Sequence, residues 1–267
     1  MKKSTMVVVL LMFALMVGAS AAQEIGDDAN NVLIVLDASG SMDDMMQGTS
    51  LQKMAAAKNA LIRVLEQIPE NTNVGLLVFS SSNLRNDWVY PLGSLDKVKL
   101  EEAIRLPMPQ GRTPLGAYIK KGADRLLKQR ESQFGYGTYR LLIVTDGEAQ
   151  DQDLVNQFVP EVIARGITMD VIGVDMRKEH TLATRVHSYR RADNPESLAR
   201  ALIEVFAEVG GTGNDAAGEN AFDEIAAIPE ETAKAMLKAI SSSGNQPIGE
   251  TRTDLDEQSP SRETNKK

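Results

Sequence analysis

Short apolar runs alternate along the chain with longer segments whose apolar residues recur at helical spacing. Short runs rich in β-branched residues are typical of strands that are buried on both faces of a sheet. The runs lie at residues 32–36, 74–79, 139–145 and 167–174, with weaker strand patterns at 88–90, near a sheet edge, and around 187–190. The sequence therefore predicts six strands.

The segments with helical spacing carry capping and stop signals at their ends, such as Pro114 at a predicted helix start and Gly166 after a predicted helix end. They lie at residues 51–68, 95–106, 114–129, 152–165 and 195–209. Strands that alternate with helices predict right-handed βαβ units and a mostly parallel sheet. We therefore expect an α/β fold.

Polar side chains follow the first and fourth predicted strands at the point where each strand ends. Asp37, Ser39 and Ser41 come directly after the first strand in the sequence DASGS, and Asp146 follows the fourth strand in TDGE. Ligands bind outside the carboxyl ends of parallel strands, where the strand order reverses. If the order is 3-2-1-4-5-6, the first and fourth strands are neighbours. Asp37 and Asp146 would then converge.

Together with GRTP at residues 111–114, these motifs resemble the metal-ion-dependent adhesion site of von Willebrand factor A domains, over residues 31–209. The resemblance implies a Rossmann-like, doubly wound, mostly parallel six-stranded sheet flanked by helices. It implies Mg²⁺ as the cofactor, with Mn²⁺ or Ca²⁺ as alternatives. Ser39, Ser41 and Thr113 would supply hydroxyl ligands. Asp37 and Asp146 would act largely through water, with Asp146 able to bind the metal directly in some states.

The chemistry of these groups agrees with that assignment. All of them are hard oxygen donors, which suit Mg²⁺ or Mn²⁺ better than soft metals. If neither aspartate binds directly, the metal stays electrophilic, and an Asp or Glu of a partner protein can complete its ligand shell. We therefore expect an exported, metal-dependent protein-binding module for adhesion or assembly.

Each motif taken alone also has a purely structural explanation. Asp37 could cap a helix, Thr113 could be an N-cap before Pro114, and Asp146 with Gly147 is a common turn pair. Their combination, in the right order on the right predicted elements, favours the metal site.

An enzyme is the main alternative, because Asp37 at a strand end is compatible with Mg²⁺-dependent hydrolysis of phosphate esters. However, phosphatases of the haloacid dehalogenase type carry a second Asp where this chain has Ser39. No GxxxxGK phosphate loop is present, and no motif supports His180 or His187 as a catalytic base. We expect no catalysis. A third hypothesis is a structural subunit that docks through its C-terminal helices.

The N-terminus has the pattern of a bacterial secretory signal. Lys2 and Lys3 precede an apolar run at 6–18, and the small residues at 19–22 offer a cleavage site after Ala22. The run is shorter than the roughly 20 residues of a membrane span. We therefore expect cleavage, a periplasmic or secreted protein, and no stable membrane span. The chain has no cysteine, which excludes a lipid-modified one, and its net charge of −8 argues against nucleic acid as a partner.

These patterns divide the chain into six parts. They are a signal peptide at 1–22, a linker at 23–30, the domain at 31–209, a flexible linker at 210–220, a short helical segment at 221–241 and a disordered tail at 242–267. Met42, after the DASGS motif, is a weaker candidate for contact with the partner, and the pair Met45–Met46 suits either such a contact or the core. The partner's identity and the oligomeric state are left open.

Overall fold

A computed structural model of the chain describes residues 30–176, 180–209 and 244–250. The strands are β1 Asn30–Asp37, β2 Thr72–Phe79, β3 Trp88–Ser94, β4 Thr138–Thr145, β5 Thr168–Val174 and β6 Ser188–Ala192. The α-helices are α1 Lys53–Val64, α2 Lys97–Arg105, α3 Leu115–Ser132, α4 Gln152–Ala164 and α5 Pro195–Val209. Short 3₁₀ helices lie at Gly40–Asp43 and Leu65–Gln67.

The strands form one six-stranded sheet in the order β3-β2-β1-β4-β5-β6. Only the edge pair β2–β3 is antiparallel, and the other neighbours run parallel. The predicted α/β fold is thus confirmed, and the strand order is the one under which the sequence analysis expected Asp37 and Asp146 to converge. The order reverses between β1 and β4, which are hydrogen-bonded neighbours with Leu36 opposite Val144. The carboxyl ends of these two strands therefore lie side by side.

The sheet is covered by helices on both faces, which explains the uninterrupted apolar runs of the central strands. Successive side chains of a strand point to opposite faces. Ile34 and Leu36 pack in the core cluster that includes α1, α2 and α5, while Leu33 and Val35 pack in the cluster with α3 and α4. All four side chains are buried.

Glycines let α3 pack closely against the sheet and against α4. A Cβ built on Gly122 would lie 2.8 Å from the Leu141 Cδ1 atom of β4, and one on Gly116 would lie 2.8 Å from the backbone nitrogen of Val155. A side chain at Gly116 would meet the backbone of α4, and one at Gly122 would require a buried leucine side chain to shift. This close approach fixes the start of α3, and with it the GRTP loop that precedes it.

The predicted start of α1 was wrong in detail. The helix begins at Lys53 after Gln52, whereas the sequence predicted a helix from residue 51. The Thr49 hydroxyl instead donates to the carbonyl of Met46 at 3.1 Å and closes a turn before the helix. The predicted bounds of α5 are confirmed.

The C-terminal segment 244–250 packs against α3 and α4, although the sequence analysis placed it in a disordered tail. Ile248 is fully buried in the α3–α4 core cluster. Its backbone nitrogen donates to the Asp124 carboxylate at 2.6 Å, and its carbonyl accepts from Lys120 at 2.6 Å. A single apolar residue in a polar stretch forms no periodic pattern, so the sequence did not predict this contact.

Several predicted parts fall outside the described residues. They are the signal peptide at 1–22, most of the linker at 23–30, the linker at 210–220, the helical segment at 221–241 and the tail beyond 250. Within the part of the chain that the structure describes, no helix is long and apolar enough to cross a membrane.

Candidate metal centre

Asp37 is the last residue of β1 and is fully buried. Its Oδ1 accepts a hydrogen bond from the backbone nitrogen of Ser39 at 2.7 Å, and its Oδ2 accepts one from the Thr145 hydroxyl at 2.6 Å. Burial raises the pKa of Asp37 to about 6, against the lowering effect of these hydrogen bonds. A carboxylate so deeply desolvated is costly to keep ionised without a cation nearby.

The 3₁₀ helix Gly40–Asp43 follows β1 directly and brings two serine hydroxyls together. The Oγ atoms of Ser39 and Ser41 lie 3.2 Å apart. In an octahedral shell with metal–oxygen bonds of 2.0–2.1 Å, adjacent ligands are about 3.0 Å apart. The spacing of the two hydroxyls therefore fits neighbouring ligands of one small cation.

Asp146 follows β4 and meets the serine loop, as the predicted strand order requires. Its Oδ1 accepts a hydrogen bond from the Ser41 hydroxyl at 2.8 Å. Its Oδ2 lies 2.8 Å from the Nζ atom of Lys53, at the start of α1. The DASGS and TDGE motifs thus converge at the carboxyl edge of the sheet.

Thr113 is held beside this edge by the backbone of its loop. Its carbonyl accepts from the backbone nitrogen of Gln150 at 2.9 Å, and the nearby carbonyl of Gly111 accepts from Gly40 at 3.1 Å. Gly111 has a φ of 92°, a conformation that favours glycine. Thr113 is buried, and among the described residues its hydroxyl has no hydrogen-bond partner. This hydroxyl remains available to a ligand.

The donor set fits a hard divalent cation. Three hydroxyls and two carboxylates gather here, and oxygen donors of this kind suit Mg²⁺, Mn²⁺ or Ca²⁺. Across residues 30–176, 180–209 and 244–250, no group of three or more His, Cys, Asp or Glu residues could hold a metal. The candidate centre differs from such a group because three of its five proposed donors are hydroxyls.

The sequence analysis missed two residues that shape the site, Lys53 and Thr145. Lys53 looked like an ordinary residue of an amphipathic helix, and Thr145 like the last residue of a strand. Lys53 carried no signal, and Thr145 stood in the TDGE motif without an assigned role, because both roles depend on contacts with residues 93 and 108 positions away. His180 is also close, with its Nε2 atom 3.1 Å from the Gly147 carbonyl. It supports the loop after β4 from outside the donor set.

The methionines after the DASGS motif have different environments. Met42 is fully buried in the core, so it is not available for contact with a partner as the sequence suggested. Met46 is also buried, with 1% of its surface exposed, whereas Met45 is 59% exposed. Met46 therefore packs in the core, whereas the exposed Met45 suits contact with a partner.

Comparison with known proteins assigns the family. A model of the von Willebrand factor type A domain matches residues 31–205. The chain belongs to the von Willebrand factor type A family. Within the matched residues lie β1, the GRTP loop and the loop after β4, so all five predicted site residues belong to the von Willebrand A domain.

One protein is related to this chain in sequence, and several solved structures are similar to it in fold. An uncharacterized protein of Bacillus subtilis (strain 168), YwmC, is 28% identical over 63% of this chain and 78% of its own length. A von Willebrand factor type A protein from Catenulispora acidiphila has a TM-score of 0.55 at 21% identity, covering 69% of this chain and 43% of its own.

Two further structures have the same fold. The pilus adhesin SpaC from Lactobacillus rhamnosus GG has a TM-score of 0.57 at 14% identity, over 68% of this chain and 30% of its own. The PilB minor pilin from Streptococcus sanguinis has a TM-score of 0.55 at 17% identity, over 69% of this chain and 62% of its own. The chain spans less than two thirds of each of these solved proteins. At such identities the likeness shows the fold alone.

Proposed function

We propose that this chain is an exported von Willebrand A module that grips a partner protein through a divalent cation. The cation, Mg²⁺ in our proposal, would be held by Asp37, Ser39, Ser41, Thr113 and Asp146. The observation that carries the proposal is the meeting of three loops at the reversal of strand order. There, two hydroxyls lie 3.2 Å apart beside the largely buried residue Thr113, whose hydroxyl has no hydrogen-bond partner among the described residues.

In this proposal each group has a distinct task. The hydroxyls of Ser39, Ser41 and Thr113 bind without adding negative charge. Asp37 and Asp146 supply that charge and accept hydrogen bonds, and Thr145 fixes the orientation of Asp37. When bound, the cation supplies a Lewis-acidic position that an anionic group can occupy. We propose that an Asp or Glu side chain of the partner takes that position.

Binding is favoured over the alternative of phosphate-ester hydrolysis. A nucleophilic carboxylate needs an accessible oxygen, whereas both oxygens of Asp37 accept hydrogen bonds and the residue is fully buried. The histidines are also engaged, because Nδ1 of His180 accepts from Leu182 and Nδ1 of His187 accepts from Met169. Neither points to a role as general base.

The proposed location and role draw on further signs. The N-terminal pattern suggests export to the periplasm or the medium, and the described residues contain no spanning helix. Two structures with this fold are described as a pilus adhesin and a minor pilin. By analogy, which is weaker than evidence from the site, we propose adhesion or assembly as the class of role.

A titration of the mature protein with Mn²⁺, followed by electron paramagnetic resonance, tests the proposal. Mn²⁺ is the probe because it takes the same oxygen ligands and has a direct signal. We expect one site per chain, and binding weakened by roughly tenfold or more in Ser41→Ala. Ser82→Ala is the matched control, since Ser82 is an exposed serine after β2. Equal Mn²⁺ binding by all three proteins would refute the proposed site.

A second experiment tests whether the metal-loaded protein binds a carboxylate. Acetate stands in for the partner's carboxylate, and we expect it to bind only to the Mn²⁺-loaded protein, displacing a bound water. If acetate binds equally with and without Mn²⁺, the cation does not form the recognition surface, even where the metal site itself is real.

A further inference from the structure

Lys53 is a buried cation inside the candidate metal centre. Its Nζ atom lies 2.8 Å from Oδ2 of Asp146, and the two side chains are 11% and 0% exposed. Lys53 is also the first residue of α1. A positive charge at a helix N-terminus is opposed by the helix dipole, and burial of an ammonium group is costly. The ion pair with Asp146 offsets both costs.

We propose that Lys53 is a positioning residue of this centre that also sets its charge, favouring an anionic partner group over tight cation binding. The inference rests on the proposed function and deepens it. It names a residue outside the five donors and predicts how the cation and the partner's carboxylate share the available electrostatic attraction.

The charges of the described residues support this role. Asp37 and Asp146 together would balance a divalent cation and leave the loaded centre neutral. With the ammonium group of Lys53 against Asp146, the loaded centre keeps one positive charge. That charge attracts a carboxylate from the partner. The same charge repels the cation, so Lys53 lowers metal affinity while it raises affinity for the anion.

The geometry gives Lys53 a second effect, on the orientation of Asp146. One carboxylate oxygen accepts from Ser41 at 2.8 Å, and the other is held by Lys53. An oxygen held by a buried ammonium group is not available to chelate a cation. Asp146 is thereby restricted to acting through its Oδ1 side, directly or through water.

Lys53 is itself well anchored. Its backbone nitrogen donates to the Asp44 carbonyl at 3.0 Å, which ties the start of α1 to the loop that follows the DASGS motif. The side chain therefore starts from a backbone that is fixed to the loop following Ser41. A lysine held at both ends suits positioning better than a flexible surface lysine would.

Substitutions at Lys53 separate this role from a merely structural ion pair. Lys53→Met removes the charge and keeps an apolar stem, Lys53→Gln removes the charge and keeps a donor, and Lys53→Arg keeps the charge. The matched control is Lys128→Met, because Lys128 is exposed and lies roughly 20 Å along α3 from the Thr113 end. Water-proton relaxation measures Mn²⁺ affinity in each protein, and then acetate affinity of the Mn²⁺-loaded form.

We expect the two affinities to move in opposite directions in Lys53→Met and Lys53→Gln. Repulsion between a single and a double positive charge several ångströms apart amounts to roughly tenfold in binding at the dielectric constant of water, so Mn²⁺ should bind about tenfold more tightly. Acetate should bind about threefold more weakly. Lys53→Arg and Lys128→Met should stay within about twofold of the parent protein.

The results distinguish this inference from the proposed function. If the parent protein binds Mn²⁺ and both neutral variants show unchanged affinities, or affinities that fall together, the role of Lys53 is wrong and the metal site stands. If the parent protein binds no Mn²⁺, both ideas are wrong. If Lys53→Met does not fold, Lys53→Gln carries the test, because glutamine keeps a neutral hydrogen-bond donor on its side chain.

Discussion

Among the described residues, two cation–carboxylate pairs have both members buried, and the two pairs are used differently. Lys53 and Asp146 meet at 2.8 Å at the carboxyl edge of the sheet. Arg165 and Glu161 meet at 3.1 Å at the end of α4, with side chains only 2% and 4% exposed. Taken as a whole, the second pair is the more deeply buried of the two.

The groups that surround the two pairs differ. Arg165 also donates to the Pro247 carbonyl, and Glu161 accepts from the backbone nitrogen of Gly249, so this pair holds the C-terminal segment 244–250. The Nε atom of Arg165 is buried with no hydrogen-bond partner among the described residues, so this structural pair is not fully satisfied. The Lys53–Asp146 pair instead borders hydroxyls that have spare bonding capacity. The two pairs therefore differ in what they hold: the Arg165–Glu161 pair fixes a chain segment, and the Lys53–Asp146 pair meets the loops of the candidate metal centre.

The largest expected effect comes from breaking each pair. Asp146→Ala and Glu161→Ala each leave a buried cation without its carboxylate, which costs about 3–5 kcal/mol in the free energy of unfolding. Urea unfolding measures this cost. Only Asp146→Ala should abolish Mn²⁺ binding. If Glu161→Ala weakens Mn²⁺ binding as strongly, the Arg165–Glu161 pair is not independent of the metal centre.

Removing the apolar anchor of the C-terminal segment should have the next largest effect. Ile248→Ala deletes most of a fully buried side chain, and we expect a loss of about 2–5 kcal/mol in the free energy of unfolding. Mn²⁺ affinity should not change, since the segment lies on α3 and α4 away from the three loops. A matched truncation after residue 243 should behave alike. A stable truncated protein would show that the segment does not support the fold.

Lowering the pH should reduce the free energy of unfolding through His187, which belongs to neither pair. Burial holds the pKa of His187 below its usual range. A depressed pKa in the folded state means that His187 contributes stability above its unfolded pKa of about 6.5. That contribution is lost as the pH falls through the folded value. Urea unfolding between pH 7 and pH 5 should show a smaller decrease in His187→Gln than in the parent protein, and equal decreases would contradict the assignment.

The smallest effect on stability is expected at Thr113. Thr113→Val removes a hydroxyl that has no partner among the described residues, so the free energy of unfolding should change by less than about 1 kcal/mol. Mn²⁺ affinity should nevertheless fall by roughly tenfold. Thermal unfolding with and without Mn²⁺ measures both. A stable variant with parental Mn²⁺ affinity would remove Thr113 from the site.

Much of the fold could be predicted because its signals are local. The buried runs such as 32–36 and 139–145 mark central strands, and the alternation with helices leads to a parallel sheet. Once the order 3-2-1-4-5-6 is assumed, the meeting of Asp37 and Asp146 follows from topology. The family match supplies Thr113, whose loop is preceded by no strand.

The rest depended on contacts that leave no local pattern. Lys53 joins Asp146 across 93 residues, and only the packing of α1 on the sheet brings them together. The C-terminal segment relies on one apolar residue, Ile248, and on backbone groups that any sequence has. The helix start differed because the hydroxyl of Thr49 bonds back to Met46 and does not cap α1. Such choices between competing hydrogen bonds are made by tertiary structure.

Anomalous diffraction from crystals of the mature protein grown with Mn²⁺ tests the central claim most directly. The account predicts one strong peak bound by the hydroxyl oxygens of Ser39, Ser41 and Thr113, with Asp37 and Asp146 around it and Lys53 still paired with Asp146. A saturated crystal with no peak among these three hydroxyls, or with the peak at other residues, would contradict it.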